Sequence, residues 1–173
     1  MLAGGRGTVA SRPYIYSGQG FSLQRDKGRF VLPAQFRATL KASSEGMTVC
    51  LGKDEALDCI VGFGLSRKDE MVAKFDAEEA VALEKGLPFD AVQRGMSLFS
   101  VIDVPFDGSG RFILPESVSK PAKIGDQLYF HGAGRFFTAW NPEVLAKLGQ
   151  GWEGAKAICE SLQSAELAKV KRK

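Results

Sequence analysis

Histidine and cysteine are scarce: one histidine and three cysteines in 173 residues. Cys50, Cys59 and Cys159 form an odd set without a CxxC spacing. A zinc site or a disulfide framework needs closer clustering, so the three read as reduced, buried thiols of a cytoplasmic protein. Long apolar runs are missing too, and nothing approaches the ~20 residues of a membrane helix. The opening MLAGGRGTVASRP lacks the apolar core of a secretory signal, so neither export nor membrane residence is expected. Charge of one sign is also in short supply. Lys and Arg number 23 against 20 Asp and Glu, and a net charge of +3 does not by itself mark a nucleic-acid binder.

What remains is a globular chain with 45% hydrophobic and 25% charged residues, long enough for one ordinary domain or two small units sharing a core. Catalysis finds little support in it. His131 lies in an alternating strand before Gly-Ala-Gly with no nucleophile motif beside it, a setting where a structural histidine is commoner than a catalytic one. HGAGRFF contains GxG, but a strand follows where a dinucleotide site needs a helix N-terminus. Asp54, Glu55 and Asp58 crowd one hairpin loop, and no second acidic cluster suggests a metal. No catalytic residue, metal, cofactor or small-molecule substrate is expected.

The strongest internal signal is a phrase written twice. Lys27-Gly-Arg-Phe-Val-Leu-Pro33 returns as Ser109-Gly-Arg-Phe-Ile-Leu-Pro115, at a constant offset of 82 positions (Arg29 to Arg111). Each copy predicts strand, tight turn, strand, short helix, hairpin, helix. In the first, Phe21–Leu23 and Phe30–Leu32 flank the turn Asp26–Gly28, where Gly28 supplies a positive φ. Pro33 opens a helix with Phe36 and Leu40 on its apolar side. Met47–Leu51 and Cys59–Phe63 read as a hairpin. Ser66 with Asp69 predicts a capped helix, Asp76 with Glu79 the start of another that Gly86 ends, and a third helical stretch covers Phe89–Phe99. The second copy gives Val101–Phe106, the turn DGSG, Phe112–Leu114, a short helix from Pro115, and the hairpin Gln127–His131 with Arg135–Trp140. A helix capped by Asn141-Pro142 follows, then a last helix from Trp152 ending in the basic KVKRK. A repeat of about 80 residues is too long for a solenoid and predicts a pseudo-twofold domain. The expected divisions are a disordered extension over residues 1–13, a first half over 14–100, a second half over 101–150, and a C-terminal helix with a basic tail over 151–173.

Charge separates the two copies. Arg25, Lys27, Arg29, Arg37 and Lys41 face one acid, Asp26, whereas Arg111, Lys120 and Lys123 are offset by Asp107 and Glu116. On spacing alone, a structural turn with Arg29 paired to a carboxylate and a DNA contact stand equal. The charge shifts the balance, because arginine forks match phosphate oxygens and the guanine O6/N7 edge, and a turn between short strands can enter a major groove.

Together, DKGRFVLPAQFRATL, DGSGRFILP and GRFFTAWNPEVL resemble the MraZ family of bacterial regulators, encoded at the head of the division and cell-wall gene cluster, over about residues 14–148. The resemblance implies an α+β fold in which an AbrB-type (swapped-hairpin-like) unit is duplicated into a small β-barrel with flanking helices. It implies ring-shaped homo-oligomers that bind double-stranded DNA at short G-rich direct repeats in the protein's own promoter. Transcriptional regulation, usually repression, and nucleoid association in the cytoplasm come with it. Carried over by residue, Arg25, Lys27, Gly28 and Arg29 form the DNA-reading turn, with Arg37 on the helix that follows; Asp107, Gly110 and Arg111 form a second motif with a structural or assembly role. One departure stands out. The family's first motif usually opens with Asp where this chain has Arg25, and the acid comes one place later as Asp26. If that aspartate braces the turn or its arginine, the support is altered here, and Arg25 adds a phosphate contact. The alternative is an AbrB-type antitoxin that regulates itself and neutralises a toxin partner. Such antitoxins usually carry one unit and a disordered tail, whereas two units and a helix fill this chain.

Overall fold

The computed structural model describes residues 14–173, and the disordered extension expected over residues 1–13 lies outside the described residues. Strands and helices follow one another as β1 (Gln19–Leu23), β2 (Arg29–Val31), α1 (Ala34–Ser44), β3 (Thr48–Lys53), β4 (Ile60–Phe63), α2 (Arg67–Lys85), α3 (Ala91–Leu98), β5 (Val101–Pro105), β6 (Arg111–Ile113), α4 (Glu116–Ser119), β7 (Gln127–Gly132), β8 (Phe137–Trp140), α5 (Pro142–Ala146) and α6 (Glu153–Lys171). The class is α+β, as expected.

Every pairing among these strands is antiparallel. The large sheet runs β1-β7-β8-β4-β3-β5, and β2 pairs with β6 in a separate ribbon. Exchanging β1 for β5, β7 for β3 and β8 for β4 turns this order into its own reverse. The ribbon behaves in the same way: Phe30 faces Phe112, Arg29 faces Ile113 and Val31 faces Arg111. Its register is therefore centred on two equivalent phenylalanines, both buried, with rings 6.3 Å apart. Each copy of the motif leaves strand edges that need hydrogen-bond partners, and the other copy supplies them.

The closed barrel implied by the resemblance is not found; β1 and β5 end the sheet as unpaired edges. The turns show why. The Arg25 N–H donates to the Arg29 carbonyl at 2.7 Å, and the Asp107 N–H donates to the Arg111 carbonyl at 3.0 Å. Beyond the first of these bridges the ladder stops, because Ser22 Oγ accepts the Val31 N–H at 2.9 Å in place of a strand carbonyl. β1 then leaves to pair with β7.

One helix boundary differs from expectation. α2 continues unbroken through Asp76, since the run holds no Gly or Pro and an interior Asp costs less than ~1 kcal/mol relative to Ala. Ser66 is itself helical and makes no capping bond. Gly86 does end α2, in the left-handed region at φ 63 with the Leu87 N–H returning to the Ala82 carbonyl. Asp90 caps α3 by accepting from the Gln93 N–H, and Asn141 caps α5 by accepting from the Glu143 N–H, each at 3.0 Å. α6 runs on to Lys171, so most of the basic tail is helix.

Alternation along β7 and β8 divides the interior in two. Leu128, Phe130, Phe137 and Ala139 join Phe30, Phe36, Leu40 and Phe112 on the ribbon side, and Phe36 stacks on Phe137 at 4.9 Å. Tyr129 and Trp140 join Cys59, Leu145 and Cys159 beneath α5 and α6. All three thiols are free and buried. Burial pushes Cys50 and Cys59 up to about 12 and Cys159 to about 11, which keeps them protonated and unreactive.

Candidate nucleic-acid interface

The first Gly-Arg turn links β1 to β2 at the surface. Arg25, Asp26 and Lys27 are exposed, and Arg29 is half-buried at the start of β2. Two successive residues hold positive φ, Lys27 at 62 and Gly28 at 71. For lysine this region is unfavourable by roughly 1–2 kcal/mol, so local bonds must hold the turn. The Gly28 N–H donates to the Arg25 carbonyl at 3.1 Å, and Gln24 Nε2 donates to the Gly28 carbonyl at 3.3 Å. Among the described residues, no carboxylate forms an ion pair with Arg25, Lys27 or Arg29.

The second turn is built differently. Asp107, which occupies the place of Arg25, accepts from the backbone N–H groups of Ser109 and Arg111, each at 2.9 Å, and from Arg111 Nε at 2.7 Å. The Arg111 backbone N–H, followed by its guanidinium and the Ser109 N–H, holds the Asp107 carboxyl below the usual carboxylate range. Gly110 has φ 83, and a Cβ there would lie 2.6 Å from Arg37 Cδ and 3.0 Å from the Leu32 carbonyl oxygen. Arg37 thus lies across the second turn, and its guanidinium donates to the Gly108 carbonyl at a long 3.5 Å. The structure places Arg37 with Asp107, Gly110 and Arg111, away from the cluster formed by Arg25, Lys27, Gly28 and Arg29.

Because the ribbon is antiparallel, its two turns stand at opposite ends. Phe30 and Phe112 point inward, so Arg29, Val31, Arg111 and Ile113 share the outer face. Arg29 and Arg111 are offset diagonally by two residue steps, about 7 Å along the strands. A shallow concavity of about 550 Å³ beside them is bordered by Arg29, Asp107, Arg111 and Ile113, the last of which is 58% exposed. The face therefore has one end with three unpaired cations and one end whose arginine is already neutralised.

No protein-family model matches the chain. Curated relatives do. It is 34% identical to the transcriptional regulator MraZ of Rhodospirillum rubrum over 122 residues, covering 69% of this chain and 74% of that protein. It is 35% identical to the Gluconobacter oxydans protein of the same name over 129 residues, covering 72% of this chain and 74% of that one. A third, from Methylococcus capsulatus, is 30% identical over 128 residues, covering 73% and 79% respectively. The chain belongs to the MraZ family.

Within this MraZ-family chain, the bracing of Arg111 by Asp107 matches the support considered for an aspartate opening the motif, and Arg25 removes that option from the first turn. Two participants carried no signal of their own in the sequence. Gln24 and Ser22 are ordinary strand-end residues until the fold brings their side chains to Gly28 and Val31. The outward pairing of Val31 and Ile113 with the two arginines was implicit in the two-residue period, once β2 and β6 were known to pair. No helix among the described residues is long and apolar enough to cross a membrane.

Proposed function

We propose that this chain is a DNA-binding transcriptional regulator that contacts double-stranded DNA through Arg25, Lys27, Gly28 and Arg29. The observation that carries the proposal is the contrast between the turns: three unpaired cations around Gly28 against an arginine held by Asp107. Gly28 lets the backbone approach the duplex closely. Arg29 supplies a rigid fork for a guanine edge or a phosphate, and Arg25 and Lys27 neutralise flanking phosphates. Arg37 takes part only where a duplex extends to the second turn. Asp107, Gly110 and Arg111 serve structure or assembly.

The finer reading follows the family: two AbrB-type halves over residues 14–100 and 101–150, a ring-shaped homo-oligomer, and repression through short G-rich direct repeats in the protein's own promoter on the nucleoid. The palindromic strand order and the self-complementary ribbon support a duplicated unit. They also weigh against the antitoxin alternative, which usually rests on one unit and a loose tail, whereas α6 here is ordered to Lys171. The test is a binding titration on a duplex from the chain's own upstream region, with a shuffled duplex as control. Tighter binding to the native duplex that is lost in Arg29→Ala supports the reading. Equal affinity for both duplexes, or binding indifferent to Arg29→Ala, overturns it.

A further inference from the structure

A second site lies on the sheet face opposite the ribbon. Between β7, β8 and the start of α6 there is a cavity of about 310 Å³, walled by Tyr129, Phe136, Trp140, Leu145 and Trp152. This falls at the lower end of small-molecule sites, and an apolar cavity of about 150 Å³ already accommodates benzene. Four aromatic rings stand in the walls, those of Tyr129, Phe136, Trp140 and Trp152, and Trp140 and Trp152 meet edge-to-face with centroids 5.5 Å apart. A flat guest therefore meets aromatic rings on the cavity wall, the surfaces that favour stacked or edge-to-face contact.

One polar atom gives the cavity direction. The Tyr129 hydroxyl and His131 Nδ1 are 2.6 Å apart, and this is the only hydrogen bond the hydroxyl makes among the described residues. Burial raises the Tyr129 pKa and lowers that of His131, so the phenol keeps its proton and the imidazole is neutral. Tyr129 is fully buried and its hydroxyl has no other acceptor among the described residues, so the phenol donates to Nδ1 and Nε2 carries the ring hydrogen. Nε2 makes no hydrogen bond within the described protein and is not a sealed, unsatisfied atom, so it is accessible on a residue that stands in the cavity wall. The other polar groups nearby are engaged. Trp140 Nε1 donates to Thr138 Oγ1 at 2.9 Å, and Thr138 Oγ1 donates to the His131 carbonyl at 3.3 Å. Asp54 at the rim accepts from the backbone of Ala56 and Leu57, and its charge disfavours an anionic guest.

We infer that this cavity is a binding site for a small, neutral, planar aromatic molecule with a hydrogen-bond acceptor directed at His131 Nε2. The site does not depend on the DNA-binding reading, since it lies on the other side of the sheet and uses none of the same residues.

Both tryptophans of the chain stand in its wall, which makes them resident reporters. The experiment labels the full-length protein with fluorotryptophan and titrates coumarin, a neutral bicyclic molecule with one carbonyl acceptor. Cyclohexanone serves as the aliphatic control and naphthalenesulfonate as the anionic one. Saturable shifts of both fluorine resonances are expected with coumarin, with a dissociation constant of roughly millimolar order for a fragment of this size. His131→Asn places an oxygen near Nδ1 to accept from Tyr129 but withdraws the donor at Nε2, and should weaken coumarin about fivefold, the loss of one neutral hydrogen bond. Ala155→Leu, which fills the mouth from α6, should abolish the shifts while the far-ultraviolet spectrum and melting temperature stay near wild type. The inference is overturned if coumarin gives no saturable shift, if the two variants bind it as wild type does, or if naphthalenesulfonate or cyclohexanone binds equally well.

Discussion

Substituting Arg25 by Asp places the brace of the second turn into the first. In the second turn the Asp107 carboxylate receives three hydrogen bonds, two from backbone N–H groups and one from the Arg111 guanidinium. In Arg25→Asp the equivalent donors are the Lys27 and Arg29 backbone N–H groups and Arg29 Nε. Two consequences oppose each other. The turn that holds Lys27 at φ 62 gains anchoring, so the melting temperature should rise. The charge proposed to meet DNA collapses, because Arg25 is lost and Arg29 is tied, leaving Lys27 alone. Log affinity falls with log salt at about −0.9 per phosphate neutralised, so a wild-type turn with three cations has a slope near −2.7 and the variant one near −0.9. A fourfold rise in salt should therefore weaken wild type by about 40-fold and the variant by only about 3.5-fold on a duplex with one binding site. Anisotropy titrations at several salt concentrations measure the slopes, and a thermal melt measures the turn. An unchanged slope together with an unchanged melting temperature would refute the idea that unpaired charge in this turn makes the contact.

Other outcomes follow from the same structure. Arg29→Ala should abolish DNA binding with elution volume unchanged, whereas Arg111→Ala should act mainly on stability or assembly; equal loss of binding in both, with assembly intact, would contradict the division. Duplexes with several correctly spaced repeats should bind much more tightly and with a steeper salt slope than one repeat, because linked contacts form at high effective concentration, and displacing the spacing by half a helical turn should remove most of the gain. Phe30→Ala and Phe112→Ala should each destabilise the chain by ~3–5 kcal/mol in urea denaturation, since each empties the same ribbon–sheet core. Burial holds the His131 imidazole below its ordinary value, so the unfolded chain binds the extra proton first; stability is full above about pH 6.5 and falls as pH drops toward the folded-state value, and His131→Asn should flatten that part of a melting-temperature profile.

Much of this architecture was legible in the residues, for reasons that can be named. The offset between Arg29 and Arg111 marked the repeat, and the positive φ of Gly28 followed from its place in a turn between two strands. Asn141-Pro142 and Gly86 acted where capping chemistry put them. Asp76 misled because a capping-box pattern is also a run of good helix formers, and without a Gly or Pro the helix had no reason to stop. Sheet order was out of reach, since local alternation says which side chains share a face and not which strand lies alongside. The brace at Asp107 could be framed as a condition but not located, because Arg111 offers both a backbone and a side-chain donor only once the turn has closed. Arg37 illustrates the same limit: its charge was visible, while its passage over Gly110 depends on the β2–β6 pairing.

On the proposed reading that the first turn contacts DNA, the self-complementary ribbon has a consequence for the kind of operator such a subunit would suit. A dimer of identical single-unit chains presents two equal turns related by a twofold axis, and the symmetry of its site mirrors the symmetry of the protein as an inverted repeat. Here the axis between Phe30 and Phe112 survives in the strand register but is broken in the turns, with Arg25 at one end and Asp107 at the other. The subunit therefore has a head and a tail. An object with polarity distinguishes the two directions along a duplex, and copies of it facing the same way match sites written in tandem. Fusing the halves into one chain is what allows this, because only then can one turn change its residue without the other changing too.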